Sequence, residues 1–151
     1  MKLLLDNVRL IDPDAGTDAS GWLLLEGGKI ADCSSETTPP GGGERRDCKG
    51  LCLAPGIVDI GVKVCEPGER HKESYRSAGL AAAAGGVTTM VTRPDTHPAI
   101  DTPEVLEFVA RRANEAAPVN VLPMAALTKG RQGREMTELG FLLDAGAVAF
   151  T

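Results

Sequence analysis

The sequence is short of aromatic and imidazole groups. Aromatics are 3% of its 151 residues, with one Trp, one Tyr and three Phe, and only two His are present. Long apolar runs are also missing: none approaches the ~18 residues needed to span a bilayer. The N-terminal stretch Met1-Lys2-Leu3-Leu4-Leu5-Asp6 has too short an apolar region for a secretory signal. A cytoplasmic chain is expected. The net charge is −5 and no long basic run occurs. That argues against nucleic acid or an anionic membrane as the main partner. The four cysteines, Cys33, Cys48, Cys52 and Cys65, lack Cys-x-x-Cys spacing, and no His lies near the pair at 48 and 52. They read as free thiols rather than zinc ligands. The glycine runs at 41–43 and 85–86 lack a Gly-Lys-Ser/Thr ending, so neither is a phosphate loop.

Alanine and glycine are abundant instead, and small residues suit tight packing of helices on a sheet. Residues 1–54 read as a small sheet domain of short strands. Trp22-Leu23-Leu24-Leu25 and Lys29-Ile30-Ala31-Asp32 flank Gly27-Gly28, a hairpin signal because both central residues can take positive φ. A loop is expected from Ser34 to Arg46, mobile around Pro39-Pro40-Gly41-Gly42-Gly43, followed by one short strand over 47–53.

Residues 55–151 change to an alternation of strand and helix. Apolar runs near 57–64, 87–92, 119–124 and 147–151 repeat at the length of a βαβ unit. The first helix is expected over about 72–84, stopped by Gly85-Gly86. The second opens with Thr102 as N-cap and Pro103 at N1, carries Val105, Leu106, Val109, Ala110, Ala113 and Ala117 as its apolar stripe, and ends before Pro118. A third is expected over about 135–145. Continuous apolar strands alternating with helices predict an α/β fold with a parallel sheet, here the first half of a (β/α)8 barrel. A complete barrel takes about 250 residues. A half barrel leaves open sheet edges, so either the natural chain continues, or it associates into an oligomer, or it is poorly stable.

The stretch Leu53-Ala-Pro-Gly-Ile-Val-Asp-Ile-Gly-Val-Lys-Val-Cys-Glu-Pro-Gly68 carries a more specific signal. It resembles the first barrel strand of the dihydroorotases, in the amidohydrolase superfamily, which reads Pro-Gly-x-(Ile/Val)-Asp-x-His-x-His-Leu-Arg-Glu-Pro-Gly. Further matching words are Ala81-Ala-Ala-Ala-Gly-Gly-Val-Thr-Thr89, Ile100-Asp-Thr-Pro-Glu-Val-Leu106, Val119-Asn-Val-Leu-Pro123, Leu127-Thr-Lys-Gly130 and Ala145-Gly-Ala-Val-Ala-Phe150. The resemblance implies a small β-sandwich, begun by residues 1–54, beside a barrel. It also implies hydrolysis or formation of a cyclic amide, with zinc activating a water and polarising the carbonyl.

The resemblance breaks where that chemistry would be done. The two zinc-binding histidines of the family fall on Gly61 and Lys63. The substrate-gripping arginine falls on Cys65. The family's Met-Pro-Asn-Thr after the second strand is Arg93-Pro94-Asp95-Thr96, so its substrate-binding asparagine is Asp95. Glycine offers no ligand, and a protonated lysine has no lone pair. Lys63 is expected either to reach a carboxylate or solvent at the barrel mouth, or to fill the metal position with a fixed charge. Strand alternation would point 61 and 63 the same way. Asp95 would repel an acidic pyrimidine unless Arg93 neutralises it. No catalytic residue and no metal are expected. His71 and His97 read as surface groups, and Cys65 as a nucleophile would have only His97 as a base. The resemblance implies a non-catalytic protein of pyrimidine biosynthesis, a structural partner of aspartate carbamoyltransferase. The alternatives are a divergent metal-dependent cyclic amidohydrolase with ligands beyond Thr151, or a truncated fragment without function of its own.

Overall fold

The residues described are 1–151, the whole sequence, in a computed structural model that divides into two units, Met1–Pro55 and Gly56–Thr151. In the first unit, β1 (Lys2–Asp12) and β2 (Thr17–Glu26) pair antiparallel with Leu4 opposite Leu24. β3 (Lys29–Ser34) returns antiparallel to β2 through Gly27 and Gly28, whose φ values of 59° and 80° suit the expected hairpin turn. Leu4, Trp22 and Leu24 form this unit's buried cluster.

Two expectations for the first unit are corrected. The Ser34–Arg46 loop ends early, because β4 (Glu44–Asp47) pairs parallel with β1. At the start of that loop the Trp22 indole N–H donates to the Thr37 carbonyl at 2.8 Å. The single strand expected over 47–53 is split. Lys49 and Gly50 take φ of 53° and 79° and break it, leaving the two-residue β5 (Cys52–Leu53), again parallel to β1. All five strands join one sheet, the sheet-rich N-terminal region expected.

The second unit is a parallel sheet in the order β6 (Ile57–Val62), β7 (Val87–Thr92), β8 (Asn120–Pro123). Helix α1 (Tyr75–Ala84) starts three residues later than expected. The reason is a reciprocal cap: Ser74 Oγ accepts from the Ser77 N–H at 3.2 Å, and Ser77 Oγ accepts from the Ser74 N–H at 3.0 Å. At its far end Gly86 has φ of 80°, the left-handed stop the glycine pair predicts.

Helix α2 (Pro103–Ala116) begins at the predicted Thr102–Pro103 boundary, although the Thr102 hydroxyl makes no capping bond to the backbone. It ends where Ala117, placed before Pro118, turns extended. Half of its expected stripe is buried, with Leu106 and Val109 at 0% exposure and Ala113 at 1%, while Val105, Ala110 and Ala117 are half-buried. They pack with Val64, Tyr75, Met90, Ile100 and Leu142 into the core between sheet and helices. Burying one such aliphatic side chain contributes about 1.5–3 kcal/mol.

Helix α3 (Leu139–Asp144) is shorter than the expected 135–145, because 129–137 forms a 3-10 turn (Lys129–Arg131) and an antiparallel bridge, Thr128 to Met136. The fourth expected strand, 147–151, is reduced to a parallel bridge between Ala125 and Phe150. Its backbone still runs beside the chain after β8: Val148 N–H donates to Pro123 O at 3.1 Å and Thr151 N–H to Ala125 O at 3.1 Å. Pro123 has no N–H to give back, which weakens a full ladder there. No helix is long and apolar enough to cross a membrane.

Candidate functional site

The C-terminal ends of parallel strands are where barrel proteins build their sites. Three backbone bonds hold those ends level: Arg93 N–H donates to Val62 O at 2.9 Å, Met124 N–H to Thr92 O at 2.8 Å, and Ala125 N–H to Ala149 O at 2.9 Å. Lys63 follows β6 directly, and Arg93-Pro94-Asp95 follows β7. The loop after β7 is fixed by the Thr96 hydroxyl donating to Pro98 O at 2.6 Å and by Ile100 N–H donating to Pro94 O at 3.2 Å. Across from it, Gly68 packs so close that a Cβ would lie 2.4 Å from the His97 carbonyl oxygen.

These constraints bring three of the altered positions together. Lys63 Nζ lies 3.1 Å from Asp95 Oδ2, and an Arg93 Nη lies 3.3 Å from the same oxygen. The Asp95 side chain is 7% exposed, while Lys63 and Arg93 are 53% and 44% exposed. Burial alone would push the Asp95 carboxyl up. The Lys63 and Arg93 charges outweigh it and hold the group below the ordinary carboxylate value. Asp95 Oδ1 is buried with no hydrogen-bond partner. Of the two roles foreseen for Lys63, the structure shows it reaching a carboxylate.

Gly61 has an irregular strand backbone. Its φ is 96° and the β6–β7 register shifts between Ile60 and Val62. The simple alternation expected for 61 and 63 is thus interrupted by an irregularity at the glycine itself. An added Cβ would meet nothing within 4 Å, so space is not the obstacle; the positive φ is.

The donor set at these positions does not fit zinc. One position has no side chain, and the other presents an ammonium bonded to a carboxylate. No group of three or more His, Cys, Asp or Glu side chains stands within metal-holding reach of one another. Cys65 is half-buried and makes no side-chain hydrogen bond with this cluster, and His71 and His97 are exposed. The four cysteines are free thiols.

One functional-looking group escaped the sequence reading. Glu66, 5% exposed, accepts the Tyr75 N–H at 3.0 Å and the Arg112 Nε–H at 2.8 Å, with Arg70 at 3.4 Å. Burial raises its carboxyl, but Arg112 and the Tyr75 amide hold it below the ordinary value. Burial also pushes the Tyr75 phenol up to about 12. Glu66 ties the loop after β6 to both α1 and α2, which is a structural role. Its only sequence signal was an acid wedged between apolar Val64 and Pro67.

Comparison with known proteins places this arrangement. The chain is 41% identical over 149 residues to a dihydroorotase of Pelobacter propionicus, covering 99% of this chain and 35% of that protein. It is 41% identical over 150 residues to a dihydroorotase-like protein of Pseudomonas putida, covering 99% and 35%. It therefore spans 35% of the length of these curated relatives. Among solved structures it superimposes on L-hydantoinase from Arthrobacter aurescens with a TM-score of 0.83 at 24% identity, over 98% of this chain and 32% of that one. A dihydroorotase crystal structure gives 0.60 at 19% identity, over 99% and 41%. That likeness shows the fold, the N-terminal part of an amidohydrolase-type barrel protein. The dihydro-orotase-like family model matches residues 50–151, two-thirds of the sequence, and the chain belongs to that family.

Proposed function

We propose that the complete protein works in pyrimidine biosynthesis without dihydroorotase activity, as a structural partner of aspartate carbamoyltransferase. The observation that carries the first half is the Lys63–Asp95 pair at 3.1 Å. It occupies one position where the family places a zinc-binding histidine and another where it places a substrate-binding asparagine. A protonated lysine paired with a carboxylate has no lone pair to donate to a cation. The scaffold around it is intact, which suits a barrel retained for its surface. The partner comes from the resemblance alone.

The test uses the complete protein made in its own cell. Dihydroorotate hydrolysis is assayed with added zinc, and the aspartate carbamoyltransferase of the same cell is sought by co-purification. Absence of turnover together with a stable complex is the expected result. Zinc-dependent turnover would overturn the first half, and failure to find the complex would overturn the second. The name dihydroorotase borne by relatives above 40% identity favours a second reading, a divergent cyclic amidohydrolase with its metal held by other residues. That reading requires metal retained through dialysis.

A further inference from the structure

Cys48 and Cys52 flank a tight turn in the first unit. Leu51 N–H donates to Cys48 O at 2.9 Å, and Lys49 and Gly50 take φ of 53° and 79°. A turn of this kind holds its first and last Cα atoms within about 7 Å. Cys52 is the next residue. We propose that the two thiols form a reversible disulfide that clamps the chain leading into β6.

The sheet itself draws the two cysteines together. Asp47 pairs with Asp6 and Cys52 with Arg9, so β1 advances three residues while the chain beside it advances five. The excess is folded into the turn. Both flanks of the turn are pinned to β1: Cys48 N–H donates to Asp6 O at 2.8 Å, and Arg9 N–H donates to Leu51 O at 3.0 Å. A disulfide needs Cα atoms about 4.4–6.8 Å apart, a span that a curled segment of this length meets. Cys48 is half-buried and Cys52 exposed, and both line one groove of about 320 Å³. The Cys48 thiol makes only a weak bond, donating to Arg46 O at 3.7 Å, so turning it about its side-chain bond costs little.

Cys33 has no such neighbour. It lies on β3, with β2 and β1 between it and β5. Three strand spacings are roughly 14 Å, beyond the reach of a disulfide. The oxidant is a small-molecule disulfide such as oxidised glutathione. One cysteine thiolate attacks it, forming a mixed disulfide and expelling one thiolate. The other cysteine thiolate attacks the mixed disulfide, forming the Cys48–Cys52 bond and expelling the second. The two cysteines lose two electrons and two protons, and the reagent gains both as two thiols. Excess reduced thiol reverses each step. The proposal uses none of the positions that the family resemblance assigns to zinc or substrate, so it stands or falls separately from the carbamoyltransferase reading.

The experiment equilibrates the complete protein with oxidised glutathione, traps the remaining thiols by alkylation and digests with trypsin. Lys49 separates the two cysteines, so trypsin yields one peptide with Cys48, residues 47–49, and one with Cys52, residues 50–63. The two peptides are expected to stay joined until reductant is added, while Cys33 carries glutathione instead. In Cys48→Ser and in Cys52→Ser the remaining thiol should keep its glutathione about tenfold longer or more, because the neighbouring thiol, at millimolar or higher effective concentration, is gone. Exchange of the Arg9 amide hydrogen should slow on oxidation, since the clamp holds its acceptor, Leu51 O, in place. The proposal is overturned by peptides that never join, by joining that rises with protein concentration, or by glutathione that persists equally in parent and variants. An Arg9 amide that exchanges at one rate in both states overturns the clamp.

Discussion

Gly61 offers the sharpest test of why this site differs from its family. Placing a histidine there would restore the first missing ligand. The backbone opposes it: φ is 96°, a conformation that L side chains rarely adopt. Holding a non-glycine residue there costs about 1–3 kcal/mol. No steric cost is added, because nothing lies within 4 Å of the new Cβ. A loss of that size lowers Tm by roughly 2–12 °C for a protein of ordinary domain size. Gly61→Ala isolates the backbone cost from any effect of the imidazole. Both variants, melted in the complete protein, should lose the same stability within about 0.5 kcal/mol. The double variant Gly61→His with Lys63→His should still fail to retain zinc through dialysis. Its strand is strained at 61, and the new imidazole at 63 faces Asp95. If Gly61→Ala melts with the parent, the strain argument is wrong. If the double variant retains one zinc per chain without loss of Tm, the site was only two side chains away from its relatives.

Three other outcomes follow from the packing and the charges. Lys63→Met should destabilise by about 1–3 kcal/mol at neutral pH, because buried Asp95 keeps only Arg93. The Asp95 value is depressed in the folded state, so its contribution is present above the ordinary 3.8 and is lost as pH falls through the folded value. The gap between Lys63→Met and the parent should therefore close on acidification, as read by denaturant melts at several pH values. Glu66→Ala, read by the same melts, should cost roughly 2–4 kcal/mol by freeing Arg112 and the start of α1; a loss under 0.5 kcal/mol would deny it the anchoring role. Leu106→Ala should cost about 2–5 kcal/mol, since the side chain is wholly enclosed, and calorimetry of the variant checks it.

The elements legible in the sequence were those with local causes. Gly27-Gly28, Gly85-Gly86 and the Thr102-Pro103 start of α2 all determine backbone geometry within a turn, and each boundary fell where the residues put it. The late start of α1 was less visible, because Ser74 and Ser77 make a capping box from two serines instead of serine and an acid. The parallel pairing of β4 and β5 with β1 joins residues some forty positions apart, such as Leu3 and Glu44, and no local pattern announces it. At the site, the sequence identified Gly61, Lys63 and Asp95 as altered but treated them largely one at a time. It could not show the irregularity at Gly61, and it missed Glu66, whose partners come from two helices.

Two of the four altered positions, Lys63 and Asp95, are better understood as one coupled change than as separate losses. A lysine at 63 without an acid would leave an ammonium beside Arg93. An aspartate at 95 without Lys63 would leave a nearly buried carboxylate with one cation, and its Oδ1 already lacks a partner. Each substitution is tolerable because the other is present, and Arg93 lowers the cost of both. Such a pair resists reversal one residue at a time: Asp95→Asn strands two neighbouring cations, and Lys63→His weakens the hold on the carboxylate. The ion cluster thus ties the chain after β6 to the chain after β7 through one shared carboxylate.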